Sequence, residues 1–262
     1  MRIGLILVAA GYGWLREDSS GKRISKLLEP VSGEPLFLHP LMRALRAGIE
    51  QAVIVVNPLY GPEMLDAIEA AVRKNMLPVR PMVVVQQDRY GSGDAVMCAI
   101  PAARDLGMTH ALIVYADMPR WSIETMRTLL EESRSDACVT MLTAERHDSF
   151  PALERYGRVV RDQSGGISGI VEVEDPAATS DILAERRVNP SLWVWNLSWL
   201  ATHIPLVPPV KRPDGRCSEI YLPPLVRMAR EEGVCVHEVC LAIERGGEAL
   251  GVNTPEELAF IQ

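Results

Sequence analysis

A chain of 262 residues, 48% hydrophobic and 23% charged, has the length of one large domain or two small ones and the composition of an ordinary globular protein. That excludes disordered and collagen-like chains, and no apolar run approaches the roughly 18–20 residues of a membrane span. The formal net charge of −7 argues against a general binder of nucleic acid or of anionic membranes.

Residues 3–9 are a continuous apolar run with only Arg2 ahead of them and a Gly-rich turn behind, which predicts a buried parallel strand rather than a signal peptide. A helix is predicted over 35–48, with apolar residues at 38, 41, 42 and 45 and a stop at Gly48. Strands at 52–56, 82–85, 111–115 and 137–142 then alternate with helices at 62–76, 93–106 and 123–133. This alternation predicts an α/β fold: a Rossmann-like mixed, mostly parallel sheet flanked by helices. Ligands of such sheets sit beyond the carboxyl ends of the strands, which here means residues 10–26, 86–93 and 115–119.

The second half changes character. Segments 158–162 and 167–172 flank Gln163-Ser164-Gly165-Gly166 and predict a hairpin. A Trp-rich strand is expected at 188–196, a rigid Pro-rich surface loop at 205–213 and a helix near 219–232. Thr254 with Glu257 forms a capping box for a last helix, with Pro255 at its first position. No repeat, low-complexity stretch or linker interrupts the chain, so residues 1–262 are expected to form a single domain with functional halves 1–120 and 121–262.

The charge is uneven. The last 46 residues carry −5 and the rest only −2, and Arg16, Lys22, Arg23 and Lys26 form an early basic cluster. An anion site is therefore expected to be local. Five cysteines at irregular spacing predict reduced thiols and a cytoplasmic location. Cys235, His237 and Cys240 read better as strand residues than as zinc ligands, which keep tighter spacing patterns.

The loop from Ala9 to Arg16 contains Gly-x-Gly, but Arg16 stands where a dinucleotide fingerprint needs a third Gly, and Gly21-Lys22 lacks the frame of a P-loop. A Gly-rich loop carrying Lys and Arg can still wrap phosphates with backbone N–H groups; the alternative is a plain solvated turn.

Taken together, Ala9-Ala10-Gly11-x-Gly13, Ser25-Lys26-Leu27-Leu28-x-Pro30-Val31-x-Gly33-x-Pro35-Leu36-x-x-His39, Gly91-Ser92-Gly93-Asp94-Ala95-Val96, Tyr115-x-Asp117-x-Pro119, Tyr156-Gly157-Arg158-Val159-Val160, Gly169-Ile170-Val171-Glu172, Glu219-x-Tyr221-Leu222 and Gly251-Val252-Asn253-Thr254-Pro255-Glu256-Glu257-Leu258 resemble the sugar-1-phosphate nucleotidyltransferases. The likeness is strongest to the uridylyltransferase domain of N-acetylglucosamine-1-phosphate uridyltransferase. It implies the nucleotide-diphospho-sugar transferase fold, with a nucleotide-binding half followed by a sugar-binding half. The 262 residues are expected to hold the transferase domain without a hexapeptide-repeat acetyltransferase half.

The implied activity is Mg²⁺-dependent transfer of a nucleotidyl group, UMP from UTP, to a sugar 1-phosphate with release of pyrophosphate. The resemblance assigns Lys26, Arg16 and Asp117 to catalysis and Asp117 with Asn253 to the metal. It gives Ala10, Gly11, Gly13, Gln86, Gly91 and Ser92 to the nucleotide, and Gly157, Glu172 and Asn189 to the sugar. Hard oxygen ligands suit Mg²⁺. The phosphate nucleophile needs no protein base, so positioning and charge neutralisation carry the chemistry. The Gln86 amide matches the edge of uracil and, flipped, that of cytosine; the Gly91-Ser92-Gly93 turn favours a pyrimidine and leaves a purine open. Trp193 and Trp195 share a strand face and read as packing residues rather than a sugar platform. The expected partners are a nucleoside triphosphate and a sugar phosphate, with no nucleic acid and no membrane; the oligomeric state is not legible.

Some positions depart from the family pattern. Leu15 stands where a phosphate-clamping Arg is usual, leaving Arg16, Lys22 or Arg23 to replace it. Ser191, Val173 and Pro223-Pro224 replace Gly, Lys and Thr-Asp toward the sugar end. These departures keep two alternatives open: a nucleotidylyltransferase for a non-sugar phosphate such as a polyol or choline phosphate, and a non-catalytic nucleotide-sugar binding protein.

Overall fold

The computed structural model describes residues 1–88, 91–211 and 218–262. Ten strands form its main sheet: β1 (Ile3–Ala9), β2 (Ala52–Val56), β3 (Met82–Val85), β4 (His110–Tyr115), β5 (Ala137–Glu145), β6 (Arg158–Arg161), β7 (Ile167–Val171), β8 (Arg187–Val188), β9 (Trp193–Asn196) and β10 (Cys235–Cys240). Their order is β7-β6-β8-β5-β9-β4-β1-β2-β3, with β10 also paired to β5. The first half supplies a parallel unit, in which Leu5 of β1 sits opposite Ala52 on one side and Leu112 on the other. The second half adds antiparallel pairings around β9, β8, β6 and β7, while β10 runs parallel to β5.

Helices cover both faces: α1 (Leu38–Arg46), α2 (Gly61–Arg73), α3 (Gly91–Asp105), α4 (Ile123–Glu131), α5 (Ser180–Ala184), α6 (Leu197–His203), α7 (Pro224–Glu231) and α8 (Pro255–Ile261). One core joins Leu5 and Leu7 with Leu41, Met64, Ile68, Leu129 and Leu258 from α1, α2, α4 and α8. The other joins Ile6 and Val53 with Ala99, Leu200 and Leu225 from α3, α6 and α7. Successive β1 residues thus feed opposite cores, as the two faces of a strand must, and both faces are apolar because both are covered. Among the described residues no helix is long and apolar enough to cross a membrane.

Three local differences from the sequence reading bear on the site. The loop after β1 is not irregular: Trp14–Glu17 pairs with Arg23–Ser25 as a small antiparallel hairpin. Its turn closes because Asp18 Oδ1 accepts from the Ser20 and Lys22 amides while Gly21 takes φ +80°. Second, Gly91-Ser92-Gly93 is the first turn of α3 rather than a turn before it. Third, the strand expected at 188–196 is interrupted after Val188, where Ser191 takes φ +61°, and resumes at Trp193. Of the Pro-rich segment, Val210–Lys211 pairs with Ser218–Glu219; its residues 212 and 213, like Cys217, lie outside the described residues.

Candidate active site

The chain runs outward from β1 to β2 and β3, then returns to place β4 on the other side of β1. Such a reversal opens a crevice at the carboxyl ends of the central strands. A cavity of about 290 Å³ lies there, lined among others by Ala10, Gly11 and Gly13 after β1, Gln86 after β3, Gly91 and Ser92 of α3, and Tyr115 and Asp117 after β4. Lys26, Tyr12 and Glu219 also line it.

At one end Lys26 Nζ lies 2.6 Å from Asp117 Oδ2, 2.8 Å from Asn253 Oδ1 and 2.8 Å from the Val252 carbonyl. Lys26 begins a short 3₁₀ turn, Lys26–Leu28, whose Ser25 cap accepts from the Leu27 amide. A side chain at Gly13 would meet the Lys26 stem, its Cβ falling 3.2 Å from Cε. Gly11, by contrast, has nothing within 4 Å of such a Cβ and opens onto the cavity. Asn253 is held by its backbone. Val252 N donates to the Asp117 carbonyl at 2.9 Å and Gly251 N to the Tyr156 hydroxyl at 3.3 Å. Thr254, not Asn253, caps α8 in a complete capping box, which leaves the Asn253 amide for Lys26.

Three oxygens therefore converge on one cation, the Lys26 ammonium. That donor set of carboxylate, amide and carbonyl oxygen fits a hard divalent ion. Among the described residues no three His, Cys, Asp or Glu side chains cluster tightly enough to hold a metal unaided. Asp117 and Asn253 would thus hold Mg²⁺ in company with a substrate's phosphates, which is how that ion is usually bound.

At the end expected to take the nucleotide, Gln86 is only 5% exposed, and its Nε2 donates to Asp94 Oδ2 at 2.7 Å and to the Gly91 carbonyl at 3.2 Å. Gly91 and Gly93 press against the chain after Glu219. A Cβ at Gly91 would fall 2.6 Å from the Ile220 carbonyl oxygen, one at Gly93 2.7 Å from Ile220 Cγ2, and Gly93 N donates to Ile220 O at 2.8 Å. These glycines serve close packing first.

The Tyr115 phenol sits deep between the two ends, with the Ser92 and Ser191 hydroxyls beside it. Burial pushes its pKa above the usual tyrosine range, and the Glu172 and Asp117 carboxylates push the same way. Tyr115 also packs edge-to-face on Trp193, with ring centroids 6.2 Å apart.

The expected sugar residues are neighbours but not equals. A Cβ at Gly157 would lie 2.9 Å from Glu172 Oε1, so that backbone and carboxylate adjoin. Desolvation raises the Glu172 carboxyl above its ordinary range, with Glu174 and Asp175 adding to the effect, although Glu172 is not among the residues that line the cavity. Asn189 is buried, and its Oδ1 already accepts from Ser191 N and Trp193 Nε1, both at 3.0 Å. Its amide oxygen braces the fold, leaving Nδ2, which donates to Ser191 Oγ at 3.4 Å.

Arg16 stands apart from the residues that line the cavity. Its Nε pairs at 2.8 Å with the buried Glu29. Lys22 pairs with Glu63 at 2.8 Å, and Arg23 with Glu17 at 3.6 Å while stacking on Trp14. All three cations that sequence reasoning offered as phosphate clamps are thus engaged along the hairpin. Trp193 and Trp195 are fully buried, in line with their reading as packing residues. Sequence reasoning assigned no role to Tyr12, Tyr115 or Glu219; the Tyr115-x-Asp117 and Glu219-x-Tyr221 motifs were the available signal for two of them.

A mixed sheet with this crevice, a Gly-rich loop and a Lys–Asp–Asn cluster defines a nucleotidyltransferase. The chain belongs to the MobA-like NTP transferase domain family, whose model matches residues 6–195. Bifunctional protein GlmU of Cupriavidus metallidurans is 32% identical over 99% of this chain and 51% of its own length. The chain spans about half the length of the curated relatives it matches. The fold recurs in HddC from Yersinia pseudotuberculosis, with TM-score 0.64 and 15% identity over 100% of this chain and 98% of that one. It recurs also in a CMP:2-keto-3-deoxy-manno-octonic acid synthetase complexed with CTP, with TM-score 0.63 and 16% identity over 100% and 97%.

Proposed function

We propose that the chain transfers UMP from UTP to a sugar 1-phosphate, with Mg²⁺, releasing pyrophosphate and forming a nucleotide sugar. The observation that carries this reading is the convergence of Asp117, Asn253 and Val252 oxygens on the Lys26 ammonium at one end of a cavity whose other end holds Gln86. Both the metal and UTP are what the resemblance of the sequence motifs to the uridylyltransferases implies.

In this reading a phosphate oxygen of the acceptor forms a bond to the α-phosphorus, and the bond to the β-phosphate oxygen breaks. Two anions must approach, so the barrier is chiefly electrostatic. Mg²⁺ held by Asp117 and Asn253 would neutralise phosphate charge. Lys26 supplies a point charge on a flexible stem. Gly11 admits the triphosphate close to the backbone, and Arg16 joins by exchanging Glu29 for a phosphate. Glu172 and the backbone of Gly157 receive sugar hydroxyls. No general base is needed, because the attacking phosphate is already anionic. The cytoplasm, suggested by the cysteine usage, is the expected place of action.

The test is pyrophosphate release across four nucleoside triphosphates and a panel of hexose and N-acetylhexosamine 1-phosphates. Turnover with UTP and a sugar phosphate is expected; silence across the whole panel sinks the reading.

A second reading has one observation in its favour. The Asn189 amide oxygen is spent on Ser191 and Trp193, so the sugar end offers fewer groups than the family pattern implies. The acceptor would then be a non-sugar phosphate, and turnover with CTP plus a polyol or choline phosphate would establish it. Ligand-induced thermal stabilisation without turnover in any arm would instead indicate a binding protein.

A further inference from the structure

The Gln86 amide is held in one orientation by a residue outside the cavity wall. Its backbone N donates to the Val56 carbonyl at 2.9 Å, so the residue extends the β2–β3 pairing by one step. From there the side chain reaches α3. An amide nitrogen has two protons to give. Both are spent, one on Asp94 Oδ2 at 2.7 Å and one on the Gly91 carbonyl at 3.2 Å. Reversing the amide would set its oxygen against a carboxylate and a carbonyl, three acceptors with no proton among them. Buried acceptors left unpaired in this way are costly, so the reversed orientation is disfavoured. The oxygen Oε1 is therefore the hydrogen-bonding group that Gln86 has left for a ligand.

Asp94 itself does not line the cavity, whereas Gln86, Gly91 and Ser92 do. It acts through Gln86. We propose that Asp94 is a positioning residue that fixes Gln86 as an acceptor and so selects a base with an N–H at the centre of its pairing edge. The inference rests on the reading of this cavity as a nucleoside triphosphate site. Uracil and thymine carry that proton on N3. Cytosine carries a lone pair there, which would face the Gln86 oxygen. The freedom of Gln86 to serve either pyrimidine, legible from a glutamine alone, is removed by its neighbour three residues into α3.

The experiment measures equilibrium binding of UTP, CTP and N3-methyluridine triphosphate to the full chain with Mg²⁺, by calorimetry. For the wild type, UTP is expected to bind at least tenfold more tightly than either of the other two. Asp94→Asn replaces an acceptor with an amide that can accept from Gln86 or donate to it, so both orientations become tolerable. The UTP-to-CTP ratio is expected to fall at least threefold. A merely structural role for Asp94 would weaken both nucleotides alike and leave the ratio unchanged. Equal wild-type affinities for UTP and CTP, undiminished binding of the N3-methyl analogue, or an unchanged ratio in a folded Asp94→Asn protein each overturn the inference. The wild-type arms can overturn the inference even where the variant fails to fold. Failure of every triphosphate to bind would overturn the proposed function, and this inference with it.

Discussion

Lys26 Nζ stands 2.6 Å from Asp117 Oδ2, although the two residues are 91 positions apart. Asn253 Oδ1 closes the same cluster from 227 positions away. One ammonium thus occupies the point where two proposed metal ligands converge. A metal ion and Lys26 cannot share that point, since two cations this close repel strongly in a partly buried site. Phosphates arriving with the ion give Lys26 a new partner and release the oxygens.

This arrangement predicts that Lys26→Met binds Mn²⁺ more tightly than the wild type when no nucleotide is present. Electron paramagnetic resonance of free Mn²⁺ reads the difference, and a gain of several-fold is expected. In the same variant turnover should fall by about 10²-fold, the scale of losing one charge that stabilises the reacting phosphates. Equal Mn²⁺ affinity in the two proteins would mean that Lys26 does not compete for the site.

Gly91 and Gly93 in the first turn of α3 are expected to resist a side chain. Gly91 combines φ +81° with a Cβ position 2.6 Å from a backbone oxygen, so Gly91→Ala meets both strain and overlap. A loss of about 2 kcal/mol or more is predicted from urea unfolding. Gly93→Ala meets the Ile220 Cγ2 methyl at 2.7 Å and the Ile220 carbonyl oxygen at 3.0 Å; it should cost less, because the methyl can shift, the carbonyl contact is longer and no positive φ is imposed.

Arg16→Ala separates two roles. Its side chain is 54% exposed, but that of its partner Glu29 is 5% exposed and would be left with a weakened set of contacts. Exposure of the arginine limits the loss to about 1 kcal/mol, measured as a drop in thermal midpoint. A fall in kcat/KM beyond what the stability change explains is expected if Arg16 also serves the triphosphate. Unchanged kinetics with a lowered midpoint would confine it to the hairpin.

Glu172 ties stability to pH. Its carboxyl is raised above the ordinary value of 4.5, first by desolvation and then by Glu174 and Asp175. The folded state therefore holds this proton more tightly than the unfolded chain does. Its contribution is fully present below the unfolded value and is lost as pH rises through the folded one. Glu172→Gln removes that loss. The variant's thermal midpoint should match the wild type near pH 4 and exceed it progressively toward pH 7, without ligand. A gap that stays constant across this range would contradict the shift.

Much of the fold was written plainly in the chain. Val53 and Ile54 fall in an unbroken apolar run because both faces of a central parallel strand are covered, and β1, β2 and β3 begin and end where their runs do. The hairpin after β1 was less legible, since Trp14–Glu17 alternates weakly and its turn depends on Asp18 bonding to amides two and four residues on. The break at Asn189–Leu192 was hidden because Ser191 is not a residue type that announces a positive φ. The site divides in the same way. Asp117 and Gln86 follow from their places at strand ends. That Arg16 answers to Glu29, that Asn189 spends its oxygen on Trp193, and that Asp94 holds Gln86 are pairings of tertiary structure, which motif order does not encode.

The most direct measurement is pyrophosphate formation from UTP and N-acetylglucosamine 1-phosphate with Mg²⁺, comparing the wild type with Asp117→Ala. Asp117 unites the strand end, the Lys26 contact and the proposed metal. Magnesium-dependent turnover by the wild type and a fall of about 10²-fold or more in the variant are predicted. Equal turnover by the two proteins, or turnover that persists in EDTA, would contradict the assignment of Asp117 and with it the account of the site.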